Sequence, residues 1–205
     1  MFIVVFEGLD GSGKTTIMKK VYKELSKQYK VAMFPSLTES YYTTKVIRDK
    51  LAKHDTKDLD HFFMLHHVEF FKDLQSYLDY DFILKDRYIP STLAYGDSGK
   101  DPAFQKFIAD LLKVNLVSPE LYVHVNTDVR KCLERLKSRD NLTCYETESK
   151  LKEVDLRYKD IYELDGIKLE PGVKKNYLYT YDNNSALSSV SIDKLVSYIE
   201  WLKNY

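Results

Sequence analysis

The spacing Gly8-x-x-x-x-Gly13-Lys14-Thr15 can hold a chain of phosphates. Glycines let successive N–H groups curl inward around an anion, because no Cβ stands in the way. A helix opening at Lys14 aims the positive end of its dipole at the same point. The candidate phosphate contacts are therefore Asp10, Gly11, Ser12, Gly13, Lys14, Thr15 and Thr16. Lys14 has the reach for β- and γ-phosphates, and the Thr15 hydroxyl suits Mg²⁺. The apolar run from Phe2 to Phe6 before the loop and a helical pattern after it supply the strand–turn–helix setting this chemistry requires.

Two further groups bear charge in places useful to phosphate. Asp86-Arg87-Tyr88 closes a short apolar run, with Ser91 and Tyr95 following. A carboxylate at that strand end faces a cation or its waters, and the planar fork of Arg87 can bridge phosphates. The second group is the basic segment Arg130, Lys131, Arg135, Lys137 and Arg139. Arg135 and Arg139 share one face of a helix, as expected of a mobile lid closing over transferring phosphates. Lys131 is expected on a solvated face.

The elements that must position these groups alternate between extended and helical patterns. Strands are expected at 2–7, 31–35, 82–86, 121–125 and 177–181. Helices are expected from Lys14 to near Tyr29, at 44–53, 59–78, 104–112, 128–138 and 148–164, and at the C-terminus with Ser191 as its cap. A polar loop is expected at 165–175. Strand–helix alternation with crossovers of this length implies an α/β fold, a five-stranded parallel sheet with helices on both faces. Ligands of such sheets sit beyond the carboxyl ends of the strands, where the phosphate loop already lies.

Bulk composition bounds the alternatives. The chain of 205 residues is expected to form one domain with one core, with apolar residues at 44% of the total. Lys+Arg and Asp+Glu number 31 each, so no net field favours nucleic acid or an anionic membrane, and phosphate affinity must be local. Cys132 and Cys144 lack metal-ligand spacing and read as free thiols of a reducing compartment. With no leader-like or membrane-spanning run, a soluble cytoplasmic protein is expected, and the sequon at Asn141 is then coincidental. A GTP-driven switch would carry Asn-Lys-x-Asp after a late strand and Asp-x-x-Gly after the third. Asn126-Thr127-Asp128 and Asp86-Arg87-Tyr88-Ile89 stand there instead.

With loop, Asp-Arg-Tyr and basic segment in this order, nearly the whole chain resembles the thymidylate kinases among P-loop nucleoside monophosphate kinases. The resemblance implies a three-layer P-loop NTPase fold with a lid at about 135–146. It also implies transfer of the γ-phosphoryl of Mg·ATP to dTMP in deoxynucleotide biosynthesis, and a homodimer. Lys14, Arg87, Arg135 and Arg139 would be catalytic, and Thr15 and Asp86 would serve the metal. Asp10 would approach the deoxyribose, Arg87 and Ser91 the substrate phosphate, and Tyr95 the sugar's 2′ side, with Tyr145-Glu146 on the substrate side. Gly11 stands where some members carry a loop arginine, which matches the lid-arginine class. Phe34-Pro35-Ser36-Leu37, where Phe34 is expected to contact the substrate, lacks the arginine that usually follows strand two, leaving Lys45 or Arg48 as substitutes. The thymine reader is usually an aromatic with an arginine four residues later. Here Phe62 and Phe63 are followed by His66 and His67. Thr143-Cys144 replaces an acidic–basic pair, and Gly96 a glutamine. Another deoxynucleoside monophosphate, such as dUMP or a 5-modified dUMP, and a deoxynucleoside kinase are the alternatives.

Overall fold

The computed structural model describes residues 1–98, 101–114, 117–138, 142–163, 176–185 and 189–205. Five parallel strands, β1 (Phe2–Glu7), β2 (Val31–Phe34), β3 (Phe82–Asp86), β4 (Leu121–Asn126) and β5 (Tyr177–Asp182), lie in the order β2-β3-β1-β4-β5. All of β1 and β3 is buried, as an all-parallel sheet covered on both faces demands of its central strands.

Side chains alternate across the sheet, and this period of two divides the core. Phe2, Val4 and Phe6 join Ile17 and Val21 of α1 (Lys14–Leu25) and Leu195 and Ile199 of α8 (Ser189–Asn204). Ile3 and Val5 face the other way. They meet Met64 and Phe70 of α3 (Leu59–Asp73), Ile89 of α4 (Ile89–Tyr95) and Phe104 of α5 (Pro102–Val114). Each such fully buried side chain contributes roughly 1.5–3 kcal/mol relative to exposure. A third cluster joins Leu9 of the phosphate loop and Ile47 of α2 (Tyr42–Ala52) to Tyr95, to Cys132 and Leu136 of α6 (Val129–Leu136), and to Leu151 and Tyr158 of α7 (Glu148–Glu163). It ties the loop to the helices that overlie it.

Several boundaries differ from expectation. The helix expected at 59–78 is α3 followed by a 3₁₀ turn, Leu74–Tyr77. α1 stops at Leu25, short of Tyr29. Ser191 lies within α8 rather than capping it. Helix α4, with Pro90 in its first turn, was not legible as a helix. Asp128 caps α6, accepting from the Arg130 N–H at 2.7 Å. The polar loop expected at 165–175 lies outside the described residues. No helix among the described residues is long and apolar enough to cross a membrane.

Candidate active site

The phosphate loop is wedged between β4 and α6. Gly8 takes φ +138° and Gly11 φ +78°, conformations that L side chains rarely adopt. A Cβ would stand 2.6 Å from the Val125 carbonyl oxygen at Gly8, and 2.5 Å from that of Cys132 at Gly11. The Ser12 carbonyl accepts from Thr127 Oγ1 at 3.0 Å, Asn183 Nδ2 at 2.7 Å and Arg135 at 3.1 Å. Arg135 also reaches the Gly11 carbonyl at 3.2 Å, so this arginine of the basic segment lies on the loop. Arg139 lies outside the described residues, as does the centre of the expected lid. Lys131 is exposed, as expected, and donates to the Asn184 carbonyl at the surface.

Lys14 is buried at the head of α1, its Nζ donating to the Leu9 carbonyl at 2.7 Å. Burial, followed by repulsion from Arg87, lowers its pKa to about 8. An incoming phosphate would offset the repulsion and favour the charged form. Beside it, Thr15 Oγ1 donates to Asp86 Oδ2 at 2.8 Å, while Asp86 Oδ1 and Ser12 Oγ are buried with no hydrogen-bond partner among the described residues. An orphaned carboxylate oxygen beside a hydroxyl is a fitting donor set for a hard divalent cation.

Arg87 joins this loop to the neighbouring cavity. It adopts φ +63°, an unusual conformation for a side chain of its size. Its N–H donates to the Phe6 carbonyl at 2.9 Å. The guanidinium pairs with Asp10 at 2.6 Å, donates to Ser91 Oγ at 2.9 Å and lies 4.8 Å above the Tyr95 ring. Burial alone would raise the Asp10 pKa, but Arg87 and Lys14 together hold it below the ordinary value. Tyr95 in turn accepts from the Asp10 N–H at 2.9 Å.

Sequence reasoning missed the group beneath. Glu7 is fully buried and accepts from the Tyr88 N–H at 2.7 Å, from Tyr158 OH at 3.0 Å and from Ser91 Oγ. Burial raises its pKa against these hydrogen bonds. The available signal was an acidic residue closing an otherwise apolar strand. Asn183 and Thr127, which hold the loop's back, left no comparable signal.

A cavity of about 240 Å³ opens beside Arg87, with Asp10, Ser91, Tyr95 and Tyr145 in its wall, and with Phe63 and His67. It runs along α4, whose 7 residues span roughly 10 Å. Arg87 and Ser91 stand at one end and Gly96 at the other, where a Cβ would meet the Thr92 carbonyl oxygen at 2.5 Å and Asp60 Cβ at 2.9 Å. His67 Nε2 lies 3.0 Å from Thr92 Oγ1, and burial together with the charge of Lys85 keeps the ring neutral.

Other expected substrate contacts are absent from this wall. His66 is fully buried, with Nδ1 2.9 Å from Thr43 Oγ1 and its ring 4.9 Å from Tyr41, and burial lowers its pKa to about 4. It is a core residue. Phe34 is enclosed by Phe70 and Tyr77, each ring 5.0 Å away. Phe62 packs in the third core cluster beneath Lys50. Lys45 is exposed, and Arg48 pairs with Glu39 at the surface. The helical period explains the sorting: Phe63 and His67 face the cavity one turn apart, and their immediate neighbours point elsewhere.

Comparison with known sequences decides the family: the profile described as thymidylate kinase matches residues 6–171. The chain belongs to the thymidylate kinase family. The probable thymidylate kinase of Metallosphaera sedula is 32% identical over 165 residues, covering 77% of this chain and 78% of the relative. The thymidylate kinase of Leptospira borgpetersenii is 30% identical over 177 residues, 83% and 85% of the two chains. Among solved structures, thymidylate kinase from Candida albicans aligns with a TM-score of 0.66 at 21% identity over 99% of this chain and 91% of that one. Thymidylate kinase from Ehrlichia chaffeensis gives a TM-score of 0.66 at 18% identity, over 97% and 98%. These last two likenesses concern the fold, which is that of thymidylate kinases. Membership makes the chain a kinase.

Proposed function

We propose that the chain, acting as one kinase domain, transfers the γ-phosphoryl of Mg·ATP to dTMP, giving dTDP and ADP. The observation that carries this reading is the 2.6 Å Asp10–Arg87 pair, which joins the phosphate loop to the wall of the cavity. Donor and acceptor phosphates would meet across it. Lys14, Arg87 and Arg135 supply positive charge where negative charge develops, with Arg139 from the segment that follows. The acceptor is already an anionic phosphate, so no side chain has to remove a proton. Thr15 and Asp86 would hold Mg²⁺, which when bound neutralises charge on the transferring phosphates.

Phe63 stacks on the pyrimidine and His67 reads its edge from one helical turn away. A neutral imidazole offers a single donor, where a guanidinium would offer a fork. Recognition of the thymine carbonyl is therefore looser. dTMP is expected to be a good substrate, with dUMP and 5-hydroxymethyl-dUMP accepted within about tenfold in kcat/KM. UMP should be poor, because Tyr95 occupies the 2′ side. The test is kcat/KM for these four and dGMP. A preference for dGMP would place the base elsewhere. Assembly as a homodimer is proposed through α3, whose Leu65 is 48% exposed.

Arg135 distinguishes a catalytic segment from an ordinary charged helix. Arg135→Ala should lower kcat by about 10²-fold with a smaller change in the dTMP KM, since it acts on developing charge. Lys159→Ala, on the exposed face of α7, should alter neither. Equal small effects at both positions would return the segment to the surface.

A further inference from the structure

Lys85 is a fully buried lysine on a central strand, and the chemistry above makes no use of it. It precedes Asp86 and lies in register with Phe34 of β2, on the sheet face that α3 covers; its Nζ is 5.6 Å from the centre of the Phe70 ring. An ammonium has three donors. Here three carbonyl oxygens surround it, those of Pro35 at 2.6 Å, Asp86 at 2.9 Å and Ser36 at 3.4 Å. Two belong to the loop between β2 and α2, and the third to the strand end that carries the candidate cation ligand. Ser36 and Leu37 line the cavity, yet Phe34-Pro35-Ser36-Leu37 contains no cationic side chain.

A buried ammonium is costly unless its hydrogen bonds are remade, and an aliphatic residue would pack here as Ile83 and Leu84 do nearby. The charge therefore calls for a function beyond filling the core. We propose that Lys85 is a positioning residue for the acceptor nucleotide: its ammonium locks the β2–α2 loop to the end of β3. The cavity wall formed by Ser36 and Leu37 is thereby held at a fixed distance from Arg87 and Asp86. This rests on the reading of the cavity as the acceptor site. Lys85 lies behind that wall and acts through the loop.

The test is Lys85→Met, with kcat and both KM values measured alongside amide hydrogen exchange of the peptide spanning 35–38 in the free protein. The dTMP KM should rise about tenfold, the ATP KM should stay within about twofold, and exchange at 35–38 should quicken. Should Lys85→Met not fold, Lys85→Gln carries the comparison: its amide is one bond shorter than the ammonium and uncharged, so it cannot span all three carbonyls, and the dTMP KM and the exchange at 35–38 should still rise. A folded variant whose dTMP KM is unchanged, or whose two KM values rise in parallel, would overturn the proposal. Failure of the wild-type protein to phosphorylate dTMP would instead overturn the acceptor assignment. Exchange at 35–38 would then still decide whether Lys85 locks the loop.

Discussion

Lys14→Ala should reduce turnover with ATP by about 10²-fold or more while the fold survives. The side chain is buried, but among the described residues its Nζ donates to the Leu9 carbonyl within its own loop. Burial and, next, repulsion from Arg87 lower its pKa to about 8 against the pull of Asp86, Asp10 and Glu7. A phosphate would add negative charge on its solvent side and favour the ammonium. Removing Lys14 therefore costs the folded protein little and the transferring phosphoryl group a great deal. The expected result is a cooperative melt within a few degrees of wild type and steady-state turnover close to background. Near wild-type turnover in the purified variant would remove the phosphate loop from the chemistry.

Arg87→Ala should lower kcat/KM for dTMP by about 10³-fold, with a smaller effect on ATP alone. Arg87 forms the Asp10 pair, the Ser91 hydrogen bond and the face of Tyr95 together. Its loss removes the phosphate fork and leaves the Asp10 carboxylate partly buried without its partner, repelling an incoming monophosphate. Arg87→Lys keeps the charge without the fork and should recover only part of the loss. Arg87→Ala and Asp10→Ala measured with the double variant separate the two effects: relief of the Arg87→Ala defect by Asp10→Ala isolates the repulsion. Full activity in Arg87→Ala would place the acceptor phosphate somewhere other than beside Asp10.

The site was legible where chemistry is written locally. Gly8 to Thr16 is one contiguous segment, so its spacing alone conveyed the phosphate nest, and Thr15 with Asp86 could be paired because strand ends converge at one edge of a parallel sheet. The strands were legible for the same reason: β1 and β3 are buried on both faces and read as apolar runs. What depends on which way a helix turns was not. Phe62, Phe63, His66 and His67 are equally plausible in sequence, and only the packing of α3 sends Phe63 and His67 to the cavity and His66 to Thr43. Phe34 sits at a strand end where a ligand contact was expected, but α3 closes over it through Phe70. Glu7 and Lys85 are charges within apolar strands whose partners are distant in sequence. Glu7 meets Tyr158 and Lys85 meets Pro35, contacts that periodicity does not reveal.

The most direct measurement of the central claim is product identity, with Mg·ATP and either dTMP or thymidine offered as the acceptor. The account predicts dTDP and ADP in equal amounts from dTMP, and no phosphorylation of thymidine, because the cavity presents Arg87 to an anionic phosphate. Phosphorylation of thymidine in preference to dTMP, or ATP hydrolysis indifferent to both, would contradict it.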